Sequence, residues 1–302
     1  MTTEKTIRFI KGYPKFAYLM SNEAVCFMMH MADIEFLRRG NYNTNRWFKG
    51  EYVSRMNMKE KQFNRCVTEL ETLGLLEVTR SINGNGLTYT LNQMAYKKLL
   101  KVCAATIYYD RIKDFLTKLN AEGRLIQDVS NYEISTVKGY SKSNYSEAPY
   151  VKVYPGFSYL LTPDEICLLM HIFEIEYLAK YSICSFRTKR DFLDKTNMKP
   201  DAFDKAVNNL HRLHLIMKTT DAATGTIYKH SYAGYSNLVK VCGATYNYKA
   251  LKEYFDWLLV KGNRTLWDVK HWHFKALEEY GNHYSEMEFP FSELPAEDED
   301  ES

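Results

Sequence analysis

The chain repeats itself, and this limits what it can fold into more than any other feature does. The segment YPKFAYLMSNEAVCFMMHMADIEFL (13–37) aligns without a gap on YPGFSYLLTPDEICLLMHIFEIEYL (154–178), 141 residues later, with 11 of 25 positions identical. Among these are Tyr13/Tyr154, Pro14/Pro155, Cys26/Cys167 and His30/His171. The match resumes at an offset of 140, where Asn-Met-Lys at 57–59 equals 197–199 and Phe63, Val67 and Leu70 align with Phe203, Val207 and Leu210. It resumes again at 139, where Lys-Val-Cys at 101–103 equals 240–242. Each change of offset falls in a stretch that reads as a loop, where insertions are tolerated. Units of about 130 residues are too long for a solenoid repeat and read as two homologous domains. The expected boundaries are 1–137 for the first unit, 138–150 for a polar linker, 151–285 for the second unit and 286–302 for an acidic tail.

Within one unit the residues predict a mainly helical α+β fold. FAYLMS is expected to be a short strand or extended entry. Ser21 and Thr162 are N-cap residues for an apolar helix, and Pro163 suits its first turn. A second short helix is expected within 46–58. A third runs from Lys59 to Leu73, with Phe63, Val67, Leu70 and Leu73 at helical spacing and Gly74 as its C-cap. Leu75–Arg80 and Leu87–Leu91 form a hairpin around the turn NGNG. Two further helices follow, the second carrying Ile112, Phe115, Leu116 and Leu119, which align with Leu251, Tyr254, Phe255 and Leu258.

MNMKEKQFNRCVTELETLGLLEV (56–78) resembles the helix–turn–helix and wing entry of winged-helix regulators such as the MarR-like families, on Met56, Met58, Phe63, Val67, Leu70, Gly74 and Leu75. The second copy keeps Met198, Phe203, Val207, Leu210 and Leu213 but has His214 in place of the glycine. A pair of such units is also similar to plasmid-type replication initiators. The resemblance implies two homologous winged-helix domains in tandem that bind double-stranded DNA, with the third helix of each in the major groove. The outward stripe of the first such helix offers Lys59, Lys61, Gln62 and Arg65; that of the second offers Lys199, Lys205, Asn208 and Asn209, alongside Asp201 and Asp204. Arg and Lys can bind guanine, and Gln or Asn can bind adenine. For the wings the candidates are Arg80, Ser81, Asn83 and Asn85, then Lys218, Thr219, Thr220, Lys229 and His230. Arg46 and Lys49, and likewise Arg187, Lys189 and Arg190, are placed to grip phosphates beside the second helix.

Charge agrees with this direction. The net charge of +3 is the balance of a body carrying +11 and a tail, 286–302, carrying eight acids and no base. A basic body favours a polyanion partner. The tail is expected to be solvated, to compete for the basic face or to dock a protein partner, with Phe289 and Phe291 as apolar anchors. A homodimer is a further open alternative.

Other chemistry finds little support. The six cysteines include no CxxC pair and read as reduced, mostly buried thiols. Cys26, His30, Cys167 and His171 could hold zinc only if the two helices met, and their apolar run reads better as core. His271 and His273 read as strand alternation or surface aromatics. Phosphate-binding glycine loops, GxSxG and HExxH are absent from the sequence, so no enzyme activity and no cofactor are expected. The first residues, MTTEKTIRFI, lack the apolar stretch of a secretory signal, and no apolar run has membrane-spanning length, which together point to the cytoplasm without a membrane partner. Transcription regulation is the expected role. Replication initiation is one alternative, and a protein–protein interaction module is another.

Overall fold

The computed structural model describes residues 9–39, 49–80, 86–137, 148–179, 188–221, 225–261 and 263–291. It is mainly helical, with three two-stranded antiparallel sheets among the described residues. No described helix is long and apolar enough to cross a membrane.

The first half runs β1 (Ile10–Gly12), α1 (Pro14–Leu19), α2 (Asn22–Arg39), α3 (Lys49–Arg55), α4 (Glu60–Thr72), β2 (Leu76–Arg80), β3 (Leu87–Leu91), α5 (Gln93–Ala105), α6 (Tyr109–Ala121), a 3-10 turn at Ile126–Asp128, and α7 (Asn131–Val137). The second half runs β4 (Val151–Val153), a 3-10 turn at Pro155–Tyr159, α8 (Pro163–Ala179), α9 (Lys189–Thr196), α10 (Pro200–Arg212), β5 (Ile216–Asp221), β6 (Gly225–His230), α11 (Tyr232–Ala244), α12 (Tyr248–Asp256), a wide turn at Trp257–Lys261, a 3-10 turn at Leu266–Asp268, and α13 (His271–Asn282). The order of elements therefore recurs.

Two local expectations are corrected. The FAYL of FAYLMS is helical, because Pro14 sits in the first turn of α1 with its backbone angle already set, and Met20 is extended; Pro155 does the same as Pro14 for the matching 3-10 turn. His271 and His273 open a helix, not a strand, and His273, Leu277 and Tyr280 share its buried side at helical spacing.

The aromatic core is built at the same places in both halves. Phe63 on α4 packs with Phe27 (5.0 Å between ring centres) and Tyr89 (5.3 Å), and Tyr52 closes the group. In the second half Phe203 lies 5.8 Å from both Phe192 and Tyr228. Fully burying one such ring contributes about 1.5–3 kcal/mol. The turns recur as well. Asn57 and Asn197 take left-handed backbone angles between paired helices, as do Gly123 and Asn263 after α6 and after the wide turn. Helix α4 ends with Gly74 at φ +68° and a bond from Leu75 N–H to Leu70 C=O (2.9 Å). Helix α10 ends the same way with His214 at φ +55° and Leu215 N–H to Leu210 C=O (2.9 Å). The second C-cap thus forms without glycine.

The halves join about a local two-fold axis. Strands β1 and β4 pair antiparallel with Lys11 opposite Lys152, residues that hold the same place in the two repeats. Helices α2 and α8 pack together, and the equivalent thiols of Cys26 and Cys167 meet there. Arg55 lies over the ring of Tyr248 (4.8 Å), while its counterpart Lys195 lies over Tyr109 (4.0 Å). Reciprocal contacts of this kind are those of an isologous dimer, here made within one chain. The hypothetical zinc set does not assemble: His30 bonds Ser158 (2.8 Å) instead. Among the described residues no cluster of three or more His, Cys, Asp or Glu could hold a metal.

Candidate nucleic-acid interface

Helix α4 is strongly two-sided. Phe63, Cys66 and Leu70 are buried, and the opposite side exposes Lys61, Asn64, Arg65 and Thr68. Lys59, at the N-cap, is exposed as well. Helix α10 buries Phe203, Ala206, Val207 and Leu210 and exposes Asp201, Asp204, Lys205 and Asn208, with Lys199 exposed at its N-cap. The stripe of basic residues on the first helix is therefore broken by acids on the second.

Two of the sequence candidates hold the helices in place. The Gln62 carbonyl oxygen accepts from Lys59 N–H (2.9 Å), and its amide donates to Glu23 on α2 (3.0 Å). Asn209 donates to Glu165 on α8 (2.7 Å) and accepts from Arg212 (2.7 Å). Each amide thus ties the third helix of its half to the start of the central helix. Glu165 also accepts from Thr162 N–H (2.8 Å), and burial raises its pKa. The Thr162-x-x-Glu165 spacing is a capping box and could have been read from the sequence.

Three lysines have partners within their own half. Lys49 pairs with Glu60, Lys189 with Asp204 (2.6 Å), and Lys218 donates to Asn208 (2.8 Å). Exposed ion pairs contribute at most about 1 kcal/mol, so a phosphate can displace them. Lys59, Lys61, Arg65 and Arg80 in the first half, and Lys199, Lys205, Arg190 and Lys229 in the second, are exposed, and their side chains make no hydrogen bond or ion pair with the described residues. Arg46, Ser81, Asn83, Asn85 and Arg187 lie outside the described residues.

The structure brings the first turns of α4 and α10 to one cleft of about 640 Å³. Lys59 and Gln62 line it from one half, and Lys199, Asp201 and Lys205 line it from the other. Glu23 and Asp164, equivalent residues of the two repeats, also line it. Burial raises the Asp164 pKa; the Asn22 amide, donating at 2.7 Å, opposes the rise. The sequence reading missed this pair, since each acid alone looks like an ordinary first-turn residue.

At the far end, the described part of the tail packs inward. Phe291 is fully buried with its ring centre 4.9 Å from Tyr254 and from Trp257, and Phe289 lies 5.5 Å from Tyr280. The acidic residues beyond it are outside the described set. The chain matches no known family model, no curated protein and no solved structure.

Proposed function

We propose that the protein binds double-stranded DNA with sequence preference and regulates transcription, using two winged-helix units joined as an intramolecular pseudo-dimer. In this reading α4 and α10 enter the major groove, and the β2–β3 and β5–β6 hairpins are the wings. The observation that carries it is the outward stripe of α4. Lys61 and Arg65 project on the side opposite Phe63, Cys66 and Leu70, and Lys205 repeats the placement of Arg65 on α10. Arg65 and Lys205 supply groups that can recognise guanine, while Lys59, Lys199, Arg190 and Lys229 supply phosphate contacts.

The shared cleft sharpens the proposal. Separate reading heads of a helix–turn–helix dimer address half-sites about 34 Å apart. Here the first turns of both helices line one cleft, so the two recognised stretches adjoin, in inverted orientation and with different sequences.

The test is selection of bound sequences from a random duplex pool, followed by titration at several salt concentrations. The expected result is one compact site with unequal halves. Its affinity should fall about a thousandfold between 50 and 200 mM salt, as counterion release predicts for roughly six phosphate contacts. Absence of duplex binding at low salt, or affinity indifferent to salt, rejects the reading.

A further inference from the structure

A second cavity, of about 620 Å³, lies at the other end of α8 from the first, between β4, the later turns of α8 and the end of β6. Pockets for small ligands span about 300–1,000 Å³. Its walls include Pro14 from the first half and the rings of Tyr150, Phe173 and Tyr177; its polar groups are Glu174, Glu176, His230 and Lys152. We propose that this cavity binds a small aromatic cation, a site separate from the DNA-contacting face.

The polar groups are held in place. Glu176 accepts from the backbone N–H of His230 (2.7 Å) and bonds its ring Nδ1. With Nδ1 bonded to Glu176, Nε2 is the ring nitrogen left for a ligand. The His230 ring is backed by Phe173, 4.8 Å away, which itself lies 4.6 Å from Tyr235. Glu174 is buried and accepts from Tyr109 Oη. Lys152 sits over the ring of Phe9 (4.8 Å).

The comparison between repeats shows that the frame does not require this cavity. The places of Phe173 and His230 are held in the first half by Ala32 and Leu91, and Leu91 is buried as ordinary apolar packing. The Glu176–His230 pair and the Phe173 wall are therefore additions of the second half. Two carboxylates and one ammonium line the cavity. Glu174 is already shared with His171 and Lys15, and Lys11 lies over Tyr150 (4.5 Å), so Glu176 is the carboxylate left for a cation, and aromatic faces attract cations. A planar body between the rings, with a positively charged nitrogen toward Glu176, satisfies both features. Such a ligand would touch β6, α8 and the first half at once.

The test is calorimetric titration of the full chain, without DNA, with phenethylammonium, and with 3-phenylpropionate and 2-phenylethanol as the anionic and neutral counterparts. Phenethylammonium should bind saturably at one site and at least tenfold more tightly than 3-phenylpropionate. Phe173→Ala with His230→Leu, which installs the residues of the first half, should weaken it at least tenfold with the melting transition retained. Glu176→Gln should weaken the cation and leave the alcohol unchanged; it serves alone if the double variant does not fold. No saturable binding of the cation, equal binding of the carboxylate, or indifference to these substitutions overturns the proposal.

Discussion

At the end of α4 the left-handed position is filled by Gly74, and at the end of α10 by His214. The backbone bonds are the same, but the surroundings differ. A non-glycine residue there costs roughly 1–2 kcal/mol. His214 recovers part of that by stacking on Trp267 (4.4 Å between ring centres), at the place where the first half has Gln127 bonded to Asn92 (2.6 Å). The following helix differs to match. In the first half α5 carries Ala95 at a fully buried position; α11 carries Gly234 there, and a Cβ on it would lie 2.1 Å from the His214 carbonyl oxygen. The two halves thus reach one backbone path through different local sets of residues, and one residue cannot be exchanged without its partners.

The most damaging way to break that comparison is to give the second half the first half's alanine. Gly234→Ala drives a methyl group into backbone rather than into the end of a flexible side chain, and should cost about 3 kcal/mol. The reverse change, Ala95→Gly, adds chain entropy to a helix interior and should cost only about 1 kcal/mol. Denaturant midpoints of the two variants check this; equal losses would mean that the helices approach their caps equally closely.

The next comparison concerns the two outward stripes. Arg65 and Lys205 hold the same place, but Lys205 is flanked by Asp201 and Asp204. On the selected duplex, Arg65→Ala should weaken binding by about 1–3 kcal/mol and relax preference at its base. Lys205→Ala should cost less, because neighbouring acids already weaken its attraction to phosphate. Gln62→Ala should instead lower fold stability, since its amide bridges Lys59 and Glu23. Equal losses in DNA binding from Arg65 and Lys205 would reject the asymmetry.

Much of the frame was legible because it rests on local rules. Helical spacing marked α4 and α10, an N-cap residue marked the start of each central helix, and turn chemistry marked the first hairpin. The repeat also runs further than the sequence reading took it: Arg124, Asp128 and Val129 match Arg264, Asp268 and Val269 around the paired 3-10 turns. What the sequence hid depends on long-range contact. Strands β1 and β4 have three residues each, too few for an alternation signal, yet their pairing places the two-fold axis. The anchoring roles of Gln62 and Asn209 depend on acids 39 and 44 residues away. Neither cavity has a local pattern, because each is lined from both halves.

The smallest difference between the halves is a single hydroxyl. His30 and His171 are equivalent and both buried. His30 Nε2 bonds Ser158 Oγ (2.8 Å), and burial lowers its pKa to about 4, so the ring is neutral near pH 7. Applying the two-fold relation to Ser158 leads to Ala17 on α1, which packs on α8 and has no hydroxyl to offer. Among the described residues His171 Nε2 accordingly has no hydrogen-bond partner. A buried polar atom left without a partner costs about 1–3 kcal/mol, and a restored bond returns about 1 kcal/mol. Ala17→Ser should therefore raise the unfolding free energy by about 1 kcal/mol, whereas Ser158→Ala should lower it by at least that much. The two sites share no partner, so the double variant should sit near the wild type. Urea midpoints at an unchanged slope measure all three. If Ala17→Ser proves neutral or destabilising, the two-fold relation holds for the backbone but does not extend to these side chains.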